Sequence, residues 1–157
     1  MLFTSLIFVV CFLPAVLIIY YIPLRKHRKL QNFFLLLASL CFYAWGEPKF
    51  VFLLMLSIVV NWFFGLEVDR HREDKKRSKL VIVIMTVFNL SILYIFKYLM
   101  FTIDNVNRFF GTDFTVSKII LPIGISFFTF HAISYVIDIY RGKAAVQKNL
   151  FHVGLYI

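Results

Sequence analysis

From residue 2 to residue 22 the chain carries no charged side chain, and the same holds over residues 30–45, 50–66 and 80–96. A fifth apolar run, residues 121–142, contains only Asp138 and Arg141. About 20 predominantly apolar residues cross the hydrocarbon core of a bilayer as a helix. Successive runs of this kind predict an all-α fold: a polytopic transmembrane bundle of about five spans. A sixth run begins at residue 150 and reaches only residue 157, which is too short to cross. It reads as the start of a further helix in a longer protein, so residues 1–157 are expected to be the N-terminal part of one incomplete membrane-embedded domain.

The composition supports this reading. Hydrophobic residues make up 61% of the chain, with 20 Phe, far above the apolar share of soluble domains. A net charge of +9 raises the question of nucleic acid. The basic residues, however, sit in short clusters between apolar runs, as in the loops of membrane proteins, and no nucleic-acid partner is expected. Cys11 and Cys41 both lie in apolar runs without C-x-x-C spacing and read as packing residues.

The runs differ in detail. Pro14 is a kink candidate in the first. Only Met1 precedes that run, so the basic flank of a cleaved signal peptide is lacking and the run reads as an uncleaved first helix. The second is short and ends in Phe42-Tyr43-Ala44-Trp45, aromatics suited to a membrane interface. Pro48 biases Glu47 away from helix and marks a tight turn. Residues 67–79 form a hydrophilic stretch, 101–118 a mixed loop with Asp104, Asn105, Asn107 and Asp113, and 141–149 a basic loop.

Orientation follows from Lys and Arg. Arg25, Lys26, Arg28 and Lys29 follow the first run; Arg70, Arg72, Lys75, Lys76, Arg77 and Lys79 follow the third; Arg141, Lys143 and Lys148 follow the fifth. The intervening loops hold only Lys49, Arg108 and Lys118. Positive charge is retained on the cytoplasmic side, which predicts a multi-pass plasma-membrane protein with its N-terminus outside.

The fifth run carries the candidate chemistry. Pro122 and Gly124 interrupt its start, and Ser126, Thr129, His131, Ser134 and Asp138 lie within it. At 100° per residue His131, Ser134, Tyr135 and Asp138 share about a third of the helix circumference. Polar groups at membrane depth are costly unless they face protein or water, so this helix is expected to face the inside of a bundle. Candidates for a substrate path or bundle seam are therefore Lys97, Gly124, Ser126, His131, Ser134, Asp138 and Arg141. A hydrolytic triad is disfavoured, because three residues on one straight helix do not converge on a reacting atom. A polar seam satisfied by neighbouring helices, or by the backbone in the case of Ser134, is the simpler reading. Asp138 is spaced to pair with Arg141, Lys97 to snorkel from a helix end, and Pro122 to start the helix. His27, His71 and His152 have no partners at metal-ligand spacing, and no metal site is expected. No phosphate-binding or zinc-protease motif occurs.

At Phe42-Tyr43-Ala44-Trp45, Asn61-Trp62 with Gly65, Phe96-Lys97-Tyr98, and above all LPIGISFFTF followed by ISYVIDIYRG, the chain resembles the membrane-bound O-acyltransferase family. The likeness is to its branch that acetylates alginate and other cell-surface polymers. The resemblance implies a multi-helix funnel through which an acyl group reaches a polymer hydroxyl outside the cytoplasm. It implies no bound cofactor but an acyl donor such as acetyl-CoA. As partners it implies the lipid bilayer, the C-terminal part of the same protein and extracytoplasmic acyl-transfer proteins. The family's catalytic histidine lies downstream of these residues, and His131 does not take its place, so no catalytic residue is assigned. This chain alone is expected to be inactive. Two other classes fit the runs: a transporter or export-channel subunit, which internal repeats would favour and none is seen, and a small accessory membrane protein.

Overall fold

The computed structural model describes residues 6–23, 27–112 and 119–157. Arg25, Lys26, Asp113 and Lys118 of the expected loops lie outside these. Among the described residues the regular structure is all helix, in the order α1 Phe8–Tyr21, α2 Arg28–Gly46, α3 Val51–Arg70, α4 Lys75–Phe110, α5 Ile125–Tyr140 and α6 Leu150–Tyr156. Two of these, α3 and α4, are long and apolar enough to cross a membrane, at 20 and 36 residues. Only 28% and 17% of their apolar windows are buried inside the molecule. The core helix of a soluble protein would be mostly covered, whereas here Phe52, Leu56, Phe63, Ile84 and Val87 remain exposed.

Local chemistry sets the helix ends. Helix α2 stops at Gly46 because Glu47 precedes Pro48 and takes a non-helical conformation, as expected. The Asp74 carboxylate accepts from the N–H groups of Lys76 and Arg77 at 3.1 and 3.2 Å, capping α4. The hydrophilic stretch 67–79 thereby shrinks to a turn over residues 71–74, with both flanks helical. Pro14 is preceded by a π-helical turn, Phe8–Phe12, in which a wider hydrogen-bonding pattern replaces the α-helical one. The mixed loop expected over 101–118 is corrected over its described first part. Helix continues to Phe110 because Met100, Phe101, Ile103, Val106 and Phe110 recur at helical spacing and no breaker intervenes before Gly111 at φ +62°.

The chain forms two compact units. In the unit of Met1–Val59 with Gln147–Ile157, α6 packs on α2. Gly154 makes this close: a Cβ there would lie 3.2 Å from Leu36 Cδ1. Phe33 and Phe151 meet edge to face at 5.6 Å, and Phe8 and Phe12 pack on Phe42 at 4.6 and 5.3 Å. Asn149 caps α6 by accepting from the Phe151 N–H at 3.0 Å.

In the unit of Val60–Val146, α5 packs along α4. Its buried stripe is Ile125, Phe128, Thr129, Ala132, Tyr135, Val136 and Ile139, a helical spacing throughout. The stripe meets a core that includes Val68, Met85 and Leu93. Asn61 of α3 and Asn89 of α4, 0% and 1% exposed, exchange amide hydrogen bonds at 3.1 and 2.8 Å. Asn89 also donates to the Met85 carbonyl at 2.9 Å. This reciprocal pair fixes the register of α3 against α4, because sliding either helix by one turn would bury two unpaired amides. Replacing Asn61 by Leu is expected to cost about 1–2 kcal/mol. The double replacement Asn61→Leu/Asn89→Leu should cost less than the two single replacements together. Thermal unfolding of all four proteins in one detergent measures the cycle, and strict additivity would refute the pair's coupling.

Candidate functional site

The expected candidates all fall in the second unit, and the structure brings some of them together. The LPIG break is a genuine discontinuity. Pro122 is fully buried and lies outside the helix rather than in its first turn, which corrects its expected role as the initiating residue. The helix instead starts after Gly124, whose φ of +78° and ψ of 4° are left-handed. Only glycine adopts that conformation readily, so the position dictates the residue. A Cβ at Gly124 would meet nothing within 4 Å, so the requirement is one of backbone conformation and not of space. The Pro122 carbonyl accepts from the Ile125 N–H at 3.3 Å and closes the turn.

In the first turn of α5, Ser126 meets Lys97. Lys97 Nζ donates to Ser126 Oγ at 3.4 Å and stands 5.5 Å over the ring of Tyr98. Lys97 lies in a second π-helical turn, Tyr94–Tyr98, within α4. Single π-turns inside α-helices are rare and concentrate at functional sites, because the extra residue rotates one side chain out of the α-helical order. Beside it the Tyr94 hydroxyl donates to Thr102 Oγ1 at 3.0 Å, and Thr102 donates to the Tyr98 carbonyl at 2.9 Å. Lys97 is therefore inside a continuous helix and not at its end, because α4 runs on for another dozen residues.

The seam residues divide. Tyr135 is buried, while His131, Ser134 and Asp138 are half-buried along the edge of the apolar stripe. The imidazole of His131 packs on Phe127 with ring centroids 4.2 Å apart and planes tilted by 38°. Ser134 Oγ donates to the His131 carbonyl at 2.8 Å, the own-backbone bond expected of an intrahelical serine. His131 and Asp138 are about 10 Å apart along the axis, too far to act on one proton. Asp138 does not pair with Arg141. Its backbone carbonyl instead accepts from the N–H groups of Lys143 and Ala144 at 3.0 and 3.3 Å, because Gly142 at φ +70° folds the chain back over the helix end. Among the described residues the ion pairs are Glu67 with Arg70 and His71, and Asp74 with Arg77. His71, just past the end of α3, thus has a partner one turn back, with Nδ1 3.0 Å from the Glu67 carbonyl oxygen. No group of His, Cys, Asp and Glu that could hold a metal occurs among the described residues.

Sequence reasoning did not single out Asn89, Tyr94, Thr102 or Arg72. Asn89 was findable by the logic applied to the polar residues of the fifth run, since it is a lone amide in an uncharged run. Arg72, whose Nη2 would stand 3.0 Å from a Cβ on Gly142, places a cation at the C-terminal end of α5. Only tertiary structure reveals that neighbour.

This helical, largely uncovered chain with a broken, polar fifth helix is similar along its length to bacterial polymer O-acetylases. It is 36% identical to the "Probable alginate O-acetylase AlgI" of Pseudomonas aeruginosa across 100% of this chain and 30% of that protein. The protein of the same name from Azotobacter vinelandii is also 36% identical, with 32% of it covered. The peptidoglycan O-acetyltransferase of Helicobacter pylori is 33% identical over 96% of this chain and 29% of its own. The resemblance read from the sequence therefore holds: the chain is a homologue of these O-acetylases and spans about a third of their length. No family model matches, and no solved structure matches.

Proposed function

We propose that this chain is the N-terminal segment of a membrane-bound O-acyltransferase that moves an acyl group, acetyl in the simplest case, onto hydroxyls of an exported or cell-surface polysaccharide. The observation that carries the reading is similarity over the whole chain to proteins named for acetylation of two different polymers, alginate and peptidoglycan. The segment's part is to build wall, not to react. Helices α1 to α5 are its membrane spans, α6 opens a sixth, and the remainder of the longer protein completes the enclosure and supplies the catalytic histidine. An acyl donor such as acetyl-CoA delivers from the cytoplasmic side, and partner proteins outside the cytoplasm complete the transfer. A chimera tests this. Residues 1–157 replacing the equivalent segment of the Pseudomonas aeruginosa relative are expected to restore polymer acetylation to a strain lacking that protein. A chimera that reaches the membrane at the normal level and acetylates nothing would refute it.

Topology is part of the same proposal. The turn at residues 71–74 and the basic residues after α5 face the cytoplasm, and the N-terminus lies outside. In a Cys11→Ser/Cys41→Ser background, Lys75→Cys and Asn107→Cys are expected to label oppositely with an impermeant thiol reagent on intact cells. Equal labelling from outside would sink the orientation.

A further inference from the structure

We infer that Lys97, with Ser126 and the hydroxyl cluster around it, is a contact for a carboxylate of an anionic acceptor polysaccharide, an assignment that rests on the acyltransferase reading above. The uncharged run of α4 starts at Leu80, and Lys97 lies about 26 Å further along the axis. That is close to the thickness of the hydrocarbon core, so Lys97 stands at the interface opposite the Lys75–Lys79 cluster. In the proposed orientation this is the outer side, where the acceptor is.

The second step is charge. An ammonium has three donors. Ser126 Oγ takes one, at 3.4 Å, and the Tyr98 ring supplies a weak face contact. Neither neutralises the charge, and none of the ion pairs among the described residues includes Lys97. A cation at the margin of the hydrocarbon that has, among the described residues, a hydroxyl and a ring beside it is complemented by an anion. The π-helical turn supplies the third step, because it rotates Lys97 towards Ser126 instead of leaving it in α-helical order.

The surroundings select the anion. Tyr94 and Tyr98 are 43% and 45% exposed, and Thr102 and Ser126 add hydroxyls. Exposed ring faces accept the C–H face of a sugar, hydroxyls exchange hydrogen bonds with its own, and the ammonium takes its carboxylate. A lipid phosphate would use the cation but would gain nothing from the rings and hydroxyls, so the sugar acid fits more of the cluster.

The chain reconstituted in phosphatidylcholine nanodiscs is the sample, and binding of a short oligouronate is compared with that of its carboxyl-reduced, neutral counterpart. The acid form is expected to bind about tenfold more tightly, the ordinary size of one charge-assisted hydrogen bond. Lys97→Gln should abolish that preference and Lys97→Arg should keep it, with helical circular dichroism unchanged in both. Equal binding of the two oligomers, or a preference untouched by Lys97→Gln, would overturn the assignment. So would Lys97-dependent capture of phosphatidylglycerol from mixed nanodiscs without oligouronate binding, which would identify a lipid headgroup instead. Because the readout is binding, oligouronate preference with an inactive chimera would fail the function and leave the contact standing. An active chimera without the preference would do the reverse.

Discussion

Residues 1–157 produced alone are expected to enter the membrane and to transfer no acyl group to any polymer. Transfer to a hydroxyl needs a base next to the acceptor, and general-base catalysis contributes typically ~10²–10⁴-fold. It also needs an enclosure that keeps water from the donor. His131 is half-buried against Phe127, Ser134 is bonded to the backbone and Asp138 is about 10 Å away along the axis, so these three side chains do not act together on one proton. The chain also covers only 30% of the Pseudomonas aeruginosa relative. The measurement is acyl incorporation into cell-surface polymer by cells carrying the chain, the chain with the complementary segment of that relative as a second polypeptide, or an empty vector. Only the second is expected to exceed the vector. Transfer by the chain alone, lost on His131→Ala, would make the His131 face an active site and overturn the assignment of this segment as wall.

Much of this was legible in the residues because the largest driving force, removal of apolar surface from water, is written directly in uncharged runs. The runs 50–66 and 80–96 became helices, and the Pro122–Gly124 interruption became a real break. What was illegible depended on neighbours. Asp104, Asn105 and Asn107 read as loop residues, yet they lie on a helix whose apolar residues Met100, Ile103, Val106 and Phe110 keep the helical spacing; Asn105 even bonds back to the Phe101 carbonyl at 2.8 Å. Projection of α5 grouped His131, Ser134, Tyr135 and Asp138 correctly by angle, but angle does not say which side is covered. The covering helices chose the stripe through Ala132 and Val136, with Tyr135 at its border. Likewise the partner of Asn61 lies 28 residues away, and only the relative register of two helices identifies it as Asn89.

Gly65→Val is expected to undock α5 within its unit. A Cβ at Gly65 would lie 2.9 Å from Tyr135 Cε1, 3.1 Å from Ile139 Cδ1 and 3.2 Å from Tyr135 Oη. Those neighbours cannot step aside, because Tyr135 is 6% and Ile139 2% exposed. Small residues at such crossings let helix backbones approach closely where hydrocarbon surrounds them. Overfilling a packed site costs about 1–3 kcal/mol, and valine adds two methyl groups beyond the Cβ that already clashes. The position to watch is the exposed chain just after α5, where Arg141 and Lys143 offer tryptic bonds that a docked helix end holds in a tight turn. Faster cleavage there and a lower unfolding temperature are expected for Gly65→Val, with a smaller loss for Gly65→Ala. Tyr135→Leu removes the ring that the new side chain strikes, so Gly65→Val should cost less in that background than in the native one. If Gly65→Val is harmless, or equally harmful with and without the Tyr135 ring, then close approach at Gly65 is not what seats the broken helix, and the Lys97–Ser126 contact loses the support that positions it.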